Sequence, residues 1–280
     1  MADVDVDVNM RFLSKVGVHV HDTGGSGRSV VLIHGWPLSG ESWSAQIGAL
    51  SSAGNRVVAY DRRGFGLSDK PAGGYDYDSL ADDLEGLLSE LELNDVALVG
   101  FSMGGGEVAR YVAKHGEGRL RSVVFAAAVT PAMMQTDDNP EGPLTKTAAE
   151  KMAADLVADR DAFFDQFTTN FFSSNGELKV TQAQRQEAIR LCLQSDPKAA
   201  LACMESFGTE DFREDLTLIT VPTLIIHGDS DAIVPFEGSG ARTHAAVAHS
   251  SLVVLSGAPH GCNVSHASEF NAALLDFLAL

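Results

Sequence analysis

Val96-Ala97-Leu98-Val99-Gly100-Phe101-Ser102-Met103-Gly104-Gly105-Gly106 is the stretch that decides the fold. A short apolar run meets a serine set between glycines. Glu107-Val108-Ala109-Arg110-Tyr111-Val112-Ala113 then reads as a helix. The pattern predicts strand, sharp turn, helix. Gly100-Phe101-Ser102-Met103-Gly104 fits G-x-S-x-G, an elbow in which a strained turn lifts a serine hydroxyl above a sheet. The backbone at such a serine takes a sparsely populated conformation, and side chains two positions to either side would collide. The following helix aims its first N–H groups at the site, where negative charge is favoured. Alone, G-x-S-x-G also describes glycine-rich turns that merely pack a helix on a strand. The flanking strand and helix make it an elbow.

Working outward, residues 12–20 read as strand with a turn at Gly17 that permits a hairpin. The Asp/Val-rich start before them either frays or begins the first strand. Strands are expected at 29–33, 56–60, 120–128, 223–228 and 251–255, and helices at 42–50, 78–91, 238–247 and 267–280. In the second of these helices Leu80, Leu84, Leu87, Leu88 and Leu91 recur at helical spacing. From about Pro131 to Leu218 no convincing strand appears. That segment is helical, rich in Ala and Phe, and broken at Pro140-Glu141-Gly142-Pro143, Ser173-Ser174-Asn175-Gly176 and Ser195-Asp196-Pro197. It reads as an inserted helical cap at 131–218, dividing a core domain into 1–130 and 219–280. Apolar strands alternating with helices imply an α/β fold, a mostly parallel sheet with helices on both faces. Function in such sheets sits at the C-terminal ends of the strands.

The chain has 280 residues, 45% of them hydrophobic, enough for a large core. No apolar run reaches a membrane-spanning length. Residues 1–8 have neither a basic segment nor an apolar stretch and are not read as a Sec-type signal. Cys192, Cys203 and Cys262 are an odd number at uninformative spacing, which points to reduced thiols and a cytoplasmic location. No Cys/His cluster has zinc spacing. A net charge of −18, from 20 basic and 38 acidic residues, argues against nucleic acid and anionic membranes as partners. An acidic, lysine-poor surface fits a salt-rich habitat; solubility and mutual repulsion explain it more simply.

A serine hydroxyl is a poor nucleophile at neutral pH and needs a base, itself oriented by a third group. The chain order expected for an elbow serine is serine, acid, histidine. Of nine histidines, His260 is the candidate base. It sits in Gly257-Ala258-Pro259-His260-Gly261, between the last strand and the last helix. His266 reads as a helix-cap residue, His244 and His249 as surface positions, and His19 and His21 as part of the hairpin. Asp229 and Asp231 both follow the strand ending at Gly228. Asp231 is the preferred acid, with Asp229 as a turn former. No carboxylate follows the 120–128 strand before Asp137. The tetrahedral intermediate needs backbone N–H donors, expected from Met103, just after the nucleophile, and from Trp36, in the turn after His34-Gly35. Trp36 also reads as a plain core aromatic. Pro37 fixes φ and stiffens this turn, and would aim the Trp36 carbonyl at the site, where it could accept a proton from a bound peroxide or amine. Pocket candidates are Pro37, Phe101, Phe125, Val129, Phe164 and Ile233, with Met133, Met134, Phe163, Phe167, Phe171 and Phe172 as further aromatic and sulfur residues. Asp61-Arg62-Arg63-Gly64 reads as a structural loop whose charges pair beside the elbow. Cys262 reads as a small buried residue rather than a nucleophile.

With these residues on the page, a resemblance is clear. His34-Gly35-Trp36-Pro37-Leu38, Asp61-Arg62-Arg63-Gly64-Phe65-Gly66-Leu67-Ser68, the elbow and its helix, His227-Gly228-Asp229-Ser230-Asp231-Ala232-Ile233-Val234-Pro235-Phe236 and Ala258-Pro259-His260-Gly261 resemble the cofactor-free bacterial haloperoxidases, or non-haem chloroperoxidases. These belong to the α/β-hydrolase superfamily and are close to aryl esterases, perhydrolases and γ-lactamases. The resemblance extends from about Gly17 to Leu280 and departs only at the Asp/Val-rich start. It implies Ser102, Asp231 and His260 as triad, Trp36 and Met103 as oxyanion donors, and activity without haem, vanadium or another metal. It further implies that a carboxylic acid acylates the serine and that hydrogen peroxide cleaves the acyl-enzyme, releasing a peracid that oxidises halide in solution. A proline at the position of Pro37 goes with perhydrolysis in this group. A homo-oligomer is a further implication.

The expected activity is therefore a serine esterase and perhydrolase acting on small esters, carboxylic acids and hydrogen peroxide. An amidase or γ-lactamase on the same triad and a non-catalytic hydrolase-fold binding protein are the alternatives. A haloalkane dehalogenase is disfavoured, since that chemistry wants a carboxylate at the elbow.

Overall fold

The run 96–101 is buried at every residue. A strand covered on both faces shows no polar face, so it reads as an unbroken apolar run. The computed structural model describes residues 7–13 and 16–280. In chain order the elements are β1 (Asp7–Leu13), β2 (Val16–Asp22), β3 (Ser29–Ile33), α1 (Ser44–Ser52), β4 (Arg56–Tyr60), α2 (Tyr77–Glu90), β5 (Val96–Phe101), α3 (Met103–His115) and β6 (Leu120–Ala126). Then come α4 (Lys146–Ala158), α5 (Arg160–Phe172), the two-residue strands β7 (Ser173–Ser174) and β8 (Glu177–Leu178), α6 (Gln182–Gln194), α7 (Pro197–Thr209) and α8 (Arg213–Leu216). The chain closes with β9 (Thr223–Gly228), α9 (Gly240–Ala246), β10 (Ser251–Leu255), α10 (Cys262–Ser265) and α11 (Ala267–Leu278).

Eight strands form one sheet in the order β1-β2-β4-β3-β5-β6-β9-β10. Within this sheet the β1/β2 and β2/β4 pairs are antiparallel; across the sheet order from β4 to β10 the pairs are parallel. The register brings the strand ends level. Ile33 lies opposite Gly100, Phe101 opposite Ala126, Ala126 opposite Ile226, and Leu255 opposite Gly228. The turns after β3, β5, β9 and β10 therefore open on the same edge of the sheet.

Gly17 is not the hairpin turn. It lies within β2, opposite Phe12, and its N–H donates to the Asp69 carboxylate at 2.7 Å. A Cβ there would stand 2.9 Å from that carboxylate, so glycine answers a tertiary approach rather than a turn. Residues 14–15 lie outside the described residues, as do residues 1–6 of the Asp/Val-rich start; from Asp7 the chain is strand.

α4 to α8 follow β6, and β7 with β8 makes a small ladder at the Ser173-to-Gly176 break. These helices start where their capping residues stand. Thr145, Asp159 and Asp196 each accept a backbone N–H from the first turn, and Thr181 with Gln184 forms a capping box. No helix among the described residues is long and apolar enough to cross a membrane.

Candidate active site

Ser102 sits where β5 turns into α3, at φ 54° and ψ −118°. That left-handed conformation costs a non-glycine residue about 1–3 kcal/mol, and the surrounding bonds hold it. The Ser102 N–H donates to Ala126 O at 2.8 Å, and its carbonyl accepts from Gly105 N at 3.0 Å and Val129 N at 3.2 Å. The glycines are needed for close approach. A Cβ on Gly104 would stand 2.5 Å from the Ile33 carbonyl, and one on Gly100 would run into the Gly104 backbone.

The structure brings Ser102, His260 and Asp231 into one hydrogen-bonded line. His260 Nε2 lies 2.9 Å from Ser102 Oγ, and His260 Nδ1 lies 2.6 Å from Asp231 Oδ2. A carboxylate only accepts, so Nδ1 carries the proton and Nε2 keeps its lone pair for the serine hydroxyl. Asp231 Oδ1 accepts from Ile233 N at 2.9 Å and Val234 N at 2.8 Å. Burial pushes the Asp231 carboxyl up, but the facing His260 and hydrogen bonds from His227 and His260 outweigh it and hold it well below the usual carboxylate range. Asp229 lies outside this line: its Oδ1 accepts from Gly257 N at 2.6 Å, steadying the loop that leads to His260.

The turn after β3 lies against the elbow. A Cβ on Gly35 would be 3.0 Å from Ser102 Cβ. Neither Trp36 N–H nor Met103 N–H donates to another protein group among the described residues. Met103 opens α3, and the first amides of a helix have no intrahelical acceptor. The Gly35 carbonyl shares its peptide plane with Trp36 N–H. It accepts from Leu38 N at 3.0 Å and lies 2.9 Å from His34 Nδ1. His34 Nε2 in turn accepts from Arg62 N at 2.9 Å. Burial, with Arg62 beside it, pulls the His34 imidazole down to about 3, so it is neutral. Two donors thus fix the orientation of the peptide that ends in Trp36 N–H.

Arg62 and Arg63 find partners outside their own loop. Arg62 Nε donates to Glu107 at 2.8 Å, and Tyr60 OH donates to the other oxygen of that carboxylate. Arg63 pairs with Asp83 on α2, and Asp61 with His19 at 3.2 Å. Arg62 and Glu107 are each 1% exposed, so this is a buried ion pair tying the loop after β4 to α3.

Trp36 carries both readings at once. Its backbone belongs to the turn, while its indole Nε1 donates to Ala200 O on α7 at 2.8 Å. Around the indole stand Phe163, Phe164 and Phe167 of α5 and Phe207 of α7, with ring centroids 5.3 to 6.2 Å away. Pro37 is buried and follows Trp36 through a cis peptide. Phe101 and Phe171 pack on the His260 ring at 5.2 and 5.0 Å. Val129 touches the elbow through its N–H, whereas Phe125 packs beneath α3 at Gly105. Ile233, Phe163, Phe167 and Met152 line a cavity of about 490 Å³ beside α4 and α5. Ser102 is only 6% exposed, and aromatic rings pack against its partner His260.

The family defined by the α/β hydrolase fold matches residues 28–267. The chain belongs to the α/β-hydrolase family. This α/β-hydrolase is 41% identical over 257 residues to a non-heme chloroperoxidase of Kitasatospora aureofaciens, covering 91% of this chain and 93% of that one. It is 36% identical over 247 residues to a bifunctional esterase/perhydrolase of Acinetobacter calcoaceticus, covering 88% and 89%. The crystal structure of a bromoperoxidase from Bacillus anthracis superposes with a TM-score of 0.95 at 47% identity, covering 98% of this chain and 100% of that one. The α/β-hydrolase thus falls in the non-heme chloroperoxidase/perhydrolase group.

Two features of the site escape a reading of the sequence. His227 hides in the apolar run of β9, yet its Nε2 lies 3.3 Å from Asp231 Oδ2. Glu107 looks like a helix-surface acid and is fully buried against Arg62. A hint existed for Glu107: the glycines just before it let α3 press against the sheet, leaving little room for solvent.

Proposed function

We propose that this α/β-hydrolase is a serine esterase with perhydrolase activity. The reading rests on one observation, the line from Ser102 Oγ through His260 to Asp231, with bonds of 2.9 and 2.6 Å. His260 Nε2 takes the Ser102 proton as Oγ attacks the carbonyl carbon of a small ester or carboxylic acid. The oxyanion is met by Trp36 N–H and Met103 N–H, each worth about 3 kcal/mol of barrier. His260 then returns the proton to the leaving alcohol or water, and the acyl group remains on Ser102. Water gives back the acid. Hydrogen peroxide, deprotonated by His260, gives a peracid instead and frees the serine. A peracid leaving the enzyme oxidises halide to hypohalous acid and becomes the carboxylic acid again, so halide needs no protein site.

The crowding of Trp36, Phe101 and Phe171 about the nucleophile favours short acyl groups, with Phe164, Val129 and Ile233 shaping the wall and Pro37 stiffening the turn. In this reading residues 131–218 are the cap over a core made of 1–130 and 219–280. The likeness to the esterase/perhydrolase of Acinetobacter calcoaceticus supports both activities on one site. The test is Ser102→Ala, assayed for p-nitrophenyl acetate hydrolysis and for acetate-dependent bromination with hydrogen peroxide. Both activities are expected to vanish together. Bromination that survives the substitution would refute the mechanism.

A further inference from the structure

His227 is the penultimate residue of β9, fully buried, with its side chain turned into the 231–234 loop. Its Nε2 is 2.8 Å from the Val234 carbonyl and 3.3 Å from Asp231 Oδ2. A carbonyl only accepts, so the ring proton stands on Nε2 and points at Val234 O, with Asp231 Oδ2 beside it. Among the described residues its Nδ1 has no partner, and it faces the bare Cα of Gly240, where a Cβ would lie 2.5 Å from it. A buried ring nitrogen without a donor is costly. An apolar side chain packed against Phe236 would avoid that cost. The fold keeps the imidazole, and its N–H acts on the loop that presents Asp231.

We propose that His227 is a positioning residue for the acid of the triad, resting on the proposed reading of Ser102, His260 and Asp231. Asp231 Oδ2 is the oxygen that also takes the His260 Nδ1 proton. The positive end of the His227 N–H, 3.3 Å from that oxygen, stabilises its charge and moderates its pull on the imidazolium. By bonding the Val234 carbonyl, His227 also fixes the turn whose amides hold Oδ1. Asp231 is the titratable group facing His227 among the described residues; its other neighbours are Val254 on β10, Gly240 on α9 and Phe236.

The experiment compares His227→Phe, which keeps a ring but no donor, with His227→Gln, whose amide can replace the Nε2–H. In His227→Phe, kcat for p-nitrophenyl acetate is expected to fall about tenfold with KM nearly unchanged. The pH profile of kcat/KM is expected to move to higher pH, because Asp231 Oδ2 loses the N–H that stands beside it. His227→Gln is expected to restore both. Native pH profiles in folded His227→Phe and His227→Gln, with only Tm changed, would overturn the proposal. Should His227→Phe not fold, ¹⁵N-histidine labelling of the unaltered protein decides: a proton on Nε2 of His227 supports it, and one on Nδ1 refutes it. Ser102→Ala separates the two failures. Hydrolysis retained in that variant removes the triad and this proposal together, whereas hydrolysis lost, with His227 profiles unmoved, removes this proposal alone.

Discussion

The Gly261 N–H donates to the Phe171 carbonyl at 2.8 Å, so the loop that carries His260 is bonded directly to the C-terminal end of α5. Ser174, just beyond that helix, donates from its hydroxyl to Gly257 O at 2.6 Å. Both ends of the histidine loop are therefore fastened to the helical segment above it.

Gly261→Ala should break this fastening. The added Cβ would stand 2.5 Å from Phe172 Cδ1 and 2.6 Å from Phe171 Cε1, two rings that are almost wholly buried. Overpacking of this kind costs about 1–3 kcal/mol, and here it pushes on the neighbour of His260. Ester hydrolysis is expected to fall about tenfold or more, with a lower Tm. A Gly261→Ala variant with native kcat would show that the loop tolerates displacement.

Asp231→Asn tests the tautomer. One oxygen of Asp231 accepts two backbone N–H groups and the other accepts from His260. An amide can match only one of these. If its oxygen keeps the backbone donors, its NH₂ faces His260 Nδ1, and the ring proton must move to Nε2, toward the serine. A loss in kcat of about 10⁴ is expected at neutral pH, the size seen for such a change in serine proteases. Steady-state hydrolysis checks it, with circular dichroism to verify folding.

Acid should destabilise the protein through His34 before it reaches ordinary carboxylates. The unfolded imidazole takes a proton near pH 6.5, whereas the native ring is held down to about 3. The stability linked to His34 is therefore full above the unfolded value. It shrinks as pH falls, by about 1.4 kcal/mol per unit, and levels off once the native ring is also protonated. Asp231, also held down, adds a loss of the same sign below about pH 4. Urea unfolding at neutral and mildly acidic pH measures the slope. His34→Gln should flatten it, and an unchanged slope would count against the assignment.

Glu107→Gln should destabilise the protein without touching substrate. It strands the Arg62 guanidinium, 1% exposed, with no countercharge. Leaving one buried charge unpaired costs about 3–5 kcal/mol. A large drop in the urea midpoint is expected. Because Arg62 N also bonds His34, whose ring bonds Gly35, a fall in kcat should accompany it even in the folded fraction.

Where polar or glycine residues punctuate both ends of an apolar run, the sequence fixes strand limits closely. The expected strands at 29–33, 56–60, 223–228 and 251–255 are β3, β4, β9 and β10. The misplaced hairpin turn at Gly17 has a different cause. That glycine answers Asp69, 52 positions away, and no local pattern records such an approach. His227 is hidden for the same reason: its burial is a property of β9, but its N–H partners belong to a loop that only the fold brings back over the strand. Arg62 and Glu107 are separated by 45 residues, so a run of charges in a loop gives no sign that one of them will be buried in a helix interface. Phe164, Phe167 and Phe171 share one face of α5, and only the way the helix docks along its length sets Phe171 against His260 and the earlier two against Trp36.

The indole of Trp36 sits among four phenylalanine rings and is pinned to α7 through Ala200. Its own peptide N–H belongs to the turn beside Ser102. The helices from α5 to α7 are therefore not an interchangeable accessory. A chimaera that imports them from a relative with another residue at position 36 would inherit a new roof and, with it, a displaced amide. Transplants should carry the turn and the helices as one unit.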